Sequence, residues 1–478
     1  MENDALSLNE IVQHINAKAA DYCALSDRIW EKPELAFNEH FAASEQIAML
    51  EREGFRITSQ VGGIATAFVA EYGEGGPVIG ILGEYDALPH LGQVSGKLQP
   101  EPTQKGAPGH GCGHNLLGAG SALAAAALKN ALAQEDIAGT VRYYGCPAEE
   151  AGGGKTFMAR AGVFDDLDVA FCWHPYVVNE VMNTADNAAI GARFRFTGRA
   201  AHAATDPHLG RSALDAVELM NVGVNYMREH MPVHARVHYA ITNAGGEAPN
   251  VVQAFAESVY SIRSPQLRDA ERLLARVSKI AEAAAMMTET SVNVRIVEAC
   301  SNVLNNRVLQ GVMYENMRRI GPPPFETDDY KFARELRKAA LTDDDVLATV
   351  EPFDISLKDK ILHDELLPLS SGEQLAMGST DVGDVSWIVP TVQCFAACFA
   401  IGTMFHSWQM VTQGNLPAAH KGMVLAAKAM ATSAADCLRN PEIITRAKAE
   451  LRRRTGGHPY SCPIPPEVTP DDLRTKST

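Results

Sequence analysis

The chain is short of cysteine, of cationic side chains and of long apolar runs, and each shortage removes a class of protein. Nine cysteines in 478 residues, odd in number and scattered from Cys23 to Cys462, do not make a disulfide framework. No Cys-x-x-Cys pair is present, so a thiol-exchange role lacks its usual motif. Lys and Arg number 42 against 58 Asp and Glu, a net charge of −16. That deficit argues against broad binding to nucleic-acid phosphate or anionic lipid, both of which need surplus cations. The longest uninterrupted apolar stretches, Ala122 to Leu128 and Cys394 to Ile401, are too short to cross a bilayer. The first ten residues are polar and acidic, without the basic start and apolar run of a signal peptide, and a cytoplasmic protein is expected. No internal repeat is visible.

What is present is an ordinary globular composition, 46% hydrophobic and 21% charged. That is enough apolar surface to offset the entropy of ordering the chain. Residues from Leu6 to about Gly54 carry apolar side chains at helical spacing and read as two helices. Short apolar runs at Pro77 to Leu82, Thr140 to Tyr144, Val169 to Trp173 and Thr391 to Ile401 read as buried strands. Between and after them lie helical patterns, notably Leu116 to Ala133 and a final core helix from Leu416 to Leu438. Strands alternating with helices predict an α/β domain with a mostly parallel sheet, whose ligands collect beyond the carboxyl ends of the strands. From about Ile190 the texture changes. Strands are expected near Gly191 to Phe196, Val237 to Thr242, Val251 to Phe255 and Ser258 to Arg263, with helices at Ser212 to Met227 and Leu267 to Met287. This is an inserted α+β unit. The expected division is 1–187 and 300–478 for a discontinuous α/β domain and 188–299 for the insertion. The acidic stretch from Thr342 to about Gln374 reads as an exposed excursion.

Chemistry concentrates where strands stop. Cys112 and His114 are separated by one glycine in a Gly-rich turn before a helix, a spacing that suits metal ligands. Glu149 and Glu150 follow the strand that ends near Gly145. Adjacent carboxylates repel unless a cation or proton neutralises them, and a metal site uses one as ligand and the other to handle a proton. His174 and His406 each follow an apolar strand, and Glu84 and Asp86 follow another. Each feature also has a plainer reading: an incidental thiol in a turn, a solvated pair opening a helix, a packed histidine. Their common placement beside the ends of predicted strands weighs towards one site.

These motifs, with Tyr85-Asp86-Ala87-Leu88-Pro89, Pro147-Ala148-Glu149-Glu150 and the run from Gly198 through His202 to Asp215, stand in the order of one family. The chain resembles the dinuclear-metal amidohydrolases and peptidases that include aminoacylase, carboxypeptidase G and the plant auxin-conjugate hydrolases. Cys112 matches the branch that uses a cysteine ligand. The resemblance implies two divalent ions, zinc or manganese, held by Cys112, His114, Glu150, His174 and His406. It implies Glu149 as general base and Asp86 as the carboxylate that orients a ligand. It makes the insertion a ferredoxin-like lid and dimerisation domain, whose His202 reaches the active site of the partner subunit. Asn250 and Arg263 become candidate contacts to the substrate carbonyl or carboxylate. The implied reaction is hydrolysis of an aryl- or acyl-amino-acid amide, p-aminobenzoyl-glutamate first and conjugates such as indoleacetyl-aspartate second. A homodimer is expected, with a paralogous subunit as the alternative partner. One position departs from the branch: Asn115 stands where most members carry Asp, which removes a charge next to a ligand.

Overall fold

A computed structural model describes residues 2–135, 138–375 and 377–474. The chain lays down β1 (Arg56–Ser59), β2 (Phe68–Glu74), β3 (Val78–Glu84), β4 (Gly139–Cys146), β5 (Val169–Tyr176) and β6 (Glu180–Val181). After the short β7 (Thr184–Ala185) come β8 (Ala188–Thr197), β9 (Arg236–Asn243), β10 (Phe255–Ser264) and β11 (Ser291–Cys300). The chain then pairs β12 (Gln374–Leu375) with β7 and re-enters the first sheet as β13 (Thr391–Ala397).

The first sheet has the order β1-β2-β4-β3-β5-β13-β6. Its centre, β4-β3-β5-β13, is parallel throughout, while β2 and β6 join antiparallel at the flanks. The central strands read as continuous apolar runs because both of their faces are covered. Ile79, Ile81, Tyr143, Phe171 and Trp173 pack into the core formed with the helices Glu2–Glu31, His114–Glu135 and Pro417–Arg439. On the other face, Leu82, Tyr144, Ala170 and Cys172 meet Phe157, Met158 and Val385 from two short helices, in a core that runs on into the insertion. The segment His114–Gln134 is long and apolar enough to span a membrane, but 83% of its most apolar window is buried inside the fold. It is the central helix of the α/β layer.

The insertion is a four-stranded antiparallel sheet of order β11-β8-β10-β9. The helices Ala213–Met227 and Leu267–Thr288 follow β8 and β10, giving the chain order β-α-β-β-α-β with the first and third strands central. That is the ferredoxin-like arrangement. Ile190, Ala192, Phe194 and Phe196 point to the helices while Arg193 and Arg195 face away, the alternation of a half-covered sheet.

Three expectations need correction. The segment after Thr342 is exposed over much of its length, as expected, but it begins as a helix and is anchored by a few buried residues. Its acidic run is the first turn of a helix, Asp343–Val350, with a Thr342/Asp345 capping box, and carboxylates there are stabilised by the positive end of the helix dipole. Val346, Thr349, Val350 and Leu362 are buried, and His363 accepts a hydrogen bond from the Asn179 amide at 2.9 Å. Val251 forms only a bridge to His202, because Ala248 to Val251 close a turn, and the strand begins at Phe255. Finally, Pro417–Arg439 is not the last helix: Pro441–Thr455 follows, started by the Asn440 side chain and Pro441 at its first turn.

Candidate active site

All four parallel strands deliver functional groups to the same edge of the sheet. β3 ends on Glu84, with Asp86 two residues on, and β4 leads into Glu149 and Glu150. β5 carries His174, and the loop after β13 carries His406. Cys112 and His114 reach the edge from the turn opening the central helix. Gly113 lies there at φ +75°, a backbone state that a side chain resists.

Asp86 ties two of these elements together. Its Oδ1 lies 2.8 Å from His114 Nδ1, and its Oδ2 accepts the Glu150 amide at 2.9 Å. His114 Nε2 then faces Glu84 Oε2 at 3.3 Å. Cys112 Sγ is 3.4 Å from His174 Nε2, whose ring is oriented by its Nδ1 contact to the Pro175 carbonyl at 3.0 Å. Glu150 Oε2 is 3.2 Å from His406 Nε2. The His406 amide donates to the Gly111 carbonyl at 2.8 Å, which locks the last loop onto the first.

Cys112, His114 and His174 offer ligand atoms within 4.8 Å of one another, as do Cys112, Glu150 and His406, and also Glu84, His114 and Glu149. Cys112 therefore belongs to two of these groups, and its sulfur would be within reach of a cation held by either. The residues fit such cations on chemical grounds too. Glu84 Oε2, His114 Nε2 and Glu150 Oε1 are buried without a hydrogen-bond partner, a state that costs free energy unless something charged completes it. Burial, then the neighbouring Glu150, pushes the Cys112 thiol well up. Burial, then the charge of His114, lowers His174 to about 4 and keeps its imidazole neutral, the ligating form. Burial, followed by Glu84 and Glu150, holds the Glu149 carboxyl well above its ordinary range. A carboxyl held in its protonated form more strongly than usual suits a group that exchanges a proton.

Two supporting groups were not legible as such. Glu39 is buried under the Glu149–Glu150 turn. It accepts from the amides of Phe37 and Ala148 at 2.9 and 3.0 Å and from Thr66 Oγ1 at 2.9 Å. It thereby pins Ala148, which adopts φ +58°. Burial and the nearby Asp86 raise Glu39 to about 8. Lys155 is fully buried, with Nζ 2.6 Å from both Glu84 Oε1 and Asp381 Oδ1, while its amide donates to Asp381 Oδ2 at 2.7 Å. Burial alone would lower its pKa, but Asp381 and Glu84 outweigh that and raise it well above the usual value.

Gly154, beside Lys155, has no room for a side chain: a Cβ would lie 1.8 Å from the Pro147 carbonyl oxygen. Gly154→Ala must push the Glu149–Glu150 turn. We expect about 1–3 kcal/mol of destabilisation in urea unfolding and about 10²-fold lower turnover from the displaced carboxylates.

The remaining candidates divide. Arg263 lines a small cavity with Glu149, Glu150, Glu298, Ser379 and Thr380, so the structure brings it to the cluster. His202 and Asn250 lie together on the insertion, where the Ala203 amide donates to the Asn250 carbonyl at 2.9 Å and His202 Nδ1 accepts from Ala204 and Thr205. Among the described residues no hydrogen bond or ion pair joins either of them to the cluster within one chain. Asn115 turns away from the ligands. Its Nδ2 donates to Ser26 Oγ at 2.9 Å and to the Gly414 carbonyl at 3.0 Å, a contact that a carboxylate would repel.

Comparison with known proteins matches this arrangement. The family model described as Peptidase family M20/M25/M40 matches residues 80–466. The chain is 47% identical to a p-aminobenzoyl-glutamate hydrolase subunit of Escherichia coli (strain K12), over 96% of this chain and 98% of that one. It is 31% identical to the Xaa-Arg dipeptidase of Mus musculus, over 92% and 91%. Among solved structures, a dinuclear metal-binding peptidase of the M20 family from Bacillus subtilis superposes with a TM-score of 0.55, covering 86% of this chain and 98% of that one at 18% identity.

Proposed function

Because this chain belongs to peptidase family M20/M25/M40, and so is a metallo-amidohydrolase, we propose that it cleaves p-aminobenzoyl-glutamate to p-aminobenzoate and glutamate. The observation that carries the reading is that Cys112 shares one ligand-type group with His114 and His174 and another with Glu150 and His406, while Glu149 groups with His114, in a chain so close to a hydrolase of that substrate.

In this reading Cys112, His114, Glu150, His174 and His406 hold two divalent cations, zinc or manganese, since thiolate and imidazole suit the first and carboxylates also admit the second. Bound there, the pair supplies Lewis acidity towards the scissile carbonyl and acidifies water. Glu149 takes the proton from the attacking water and returns it to the leaving nitrogen. Asp86 holds His114 and the Glu150 backbone in register, the role of an outer carboxylate in a metal site. Arg263 receives a substrate carboxylate at the cavity mouth.

The inserted unit, over residues 188–299, acts as lid and dimer surface. Its β9 is an edge strand, exposed over nearly its whole length. Val222, Tyr226, Met286 and Met287 on its two helices are exposed, Met286 by 81%. Exposed apolar side chains and an open strand edge are both features a pairing surface uses. In the dimer His202 and Asn250 are offered to the active site of the second copy, where the imidazole stabilises the oxyanion of the tetrahedral intermediate. All nine cysteines are unpaired, which suits a reducing compartment such as the cytoplasm.

The test uses the purified chain alone, loaded with zinc or manganese. It is offered p-aminobenzoyl-glutamate, indoleacetyl-aspartate and an Xaa-Arg dipeptide, with sedimentation run in parallel. Release of p-aminobenzoate at the highest kcat/KM by a particle of two chains is the expected result. Faster cleavage of the dipeptide, in line with the mouse relative, would replace the substrate assignment. Activity that appears only with a paralogous chain would replace the homodimer.

A further inference from the structure

Glu84 has a place in the site that the five ligand residues do not explain. It ends β3, and its carboxylate is fully enclosed. One oxygen, Oε1, is held at 2.6 Å by Lys155 Nζ, which Asp381 clamps in turn through both side chain and backbone. The other oxygen, Oε2, makes no hydrogen bond and points at His114 Nε2, 3.3 Å away, which makes none either. His114 Nδ1 is already committed to Asp86 at 2.8 Å. With Nδ1 engaged by Asp86, His114 Nε2 and Glu84 Oε2 are two ligand-type atoms, buried, side by side and outside any hydrogen bond.

The spacing is that of two ligands on one ion. Donor atoms at about 2.0–2.1 Å from a tetrahedral centre stand roughly 3.3 Å apart. The other facing pairs have the same separation: 3.4 Å between Cys112 Sγ and His174 Nε2, and 3.2 Å between Glu150 Oε2 and His406 Nε2. Glu149 completes a group with Glu84 and His114 whose ligand atoms all lie within 4.8 Å.

We propose that Glu84 is a direct, monodentate ligand of the cation bound by His114, with Lys155 fixing the carboxylate so that only Oε2 is free to coordinate. The inference rests on the dinuclear reading above and adds a sixth protein ligand to it. It gives the His114 group a carboxylate ligand, as Glu150 gives one to the group with His406. The buried lysine is then a positioning residue: it neutralises one oxygen and aims the other.

The experiment is metal binding, read without turnover. Wild type, Glu84→Gln and Asp381→Asn are stripped with chelator and titrated with zinc and with manganese by calorimetry. Retained ions are counted after desalting, and the cobalt-substituted spectra are compared. Wild type is expected to hold two ions. Glu84→Gln is expected to bind one of them at least about 10–100-fold more weakly, the cost seen when even outer groups of a metal site are lost, and to show an altered cobalt ligand-field band. Asp381→Asn disturbs the same buried lysine but leaves Glu84 in place, and it is expected to keep both ions. Two ions bound by Glu84→Gln within about twofold of wild type, with an unchanged cobalt spectrum, would overturn the proposal while leaving the dinuclear reading standing. Equal loss in both variants would overturn it as well, by assigning the loss to the disturbed packing. Fewer than two ions in wild type would remove both readings.

Discussion

Glu149→Gln is expected to lower kcat on p-aminobenzoyl-glutamate by about 10²–10⁴-fold, the usual worth of a positioned proton carrier, while both metal ions remain bound. The amide keeps the size of the side chain but cannot accept a proton from water or return one to the leaving amine. KM should move little, because the substitution removes an interaction made in the transition state rather than in substrate binding. The pH profile gives the second readout. Burial and two carboxylate neighbours raise Glu149 in the metal-free cluster, and in the loaded wild type the acid limb reports deprotonation of this base. In the variant that limb should vanish from the residual activity. A Glu149→Gln enzyme within a few-fold of wild type, with the acid limb intact, would move the base elsewhere in the cluster.

Lys155→Met should be the most destabilising single substitution near the site. The methionine nearly fills the volume of the lysine stem but leaves Glu84 and Asp381 buried without the cation that now sits 2.6 Å from each. Breaking a buried ion pair by removing one member costs about 3–5 kcal/mol, because the remaining charge stays desolvated. Urea unfolding in chelator, so that bound metal adds nothing, should show the loss as a lower midpoint at an unchanged slope. Pairing it with Asp381→Asn should restore part of the loss, and the double-mutant cycle isolates the coupling between the two groups. An additive cycle would mean that Lys155 is held by packing rather than by charge.

The two supporting groups, Lys155 and Glu39, mark where sequence reading stops. The parallel layer was legible because its strands are apolar runs that end abruptly in polar residues, and the ends of parallel strands share one edge. Cys112, Glu149, Glu150, His174 and His406 could thus be grouped from local patterns alone. The contacts of Lys155 with Glu84 and Asp381 and of Glu39 with Ala148 join positions up to 226 residues apart. A lysine in a short helix and a glutamate between two helices look like surface residues until the tertiary fold encloses them. The acidic run after Thr342 is exposed, as its composition implies, but its helical form was not legible. Its local composition resembles a solvated loop, yet the same carboxylates favour a helix start, and the burial of Val346 and Val350 decides between the two. The alternating strands of the insertion were plain, since the period of two survives wherever one face of a sheet stays uncovered.

The return of the chain from the four-stranded insertion into β13 also sets an order of events at the ribosome. His174 is made before the insertion and His406 after it, so the pocket lacks one wall while the intervening sheet is already complete as a local unit. Domains form as units during synthesis. The nascent protein therefore carries the assembled insertion while the cluster of Cys112, His114, Glu150 and His174 still lacks His406. Only the final quarter of translation, which brings β13, His406 and the long helix Pro417–Arg439, can seal it. A chain that stops before β13 would leave the helix His114–Glu135 without Pro417–Arg439 against it and the β5 edge unpaired.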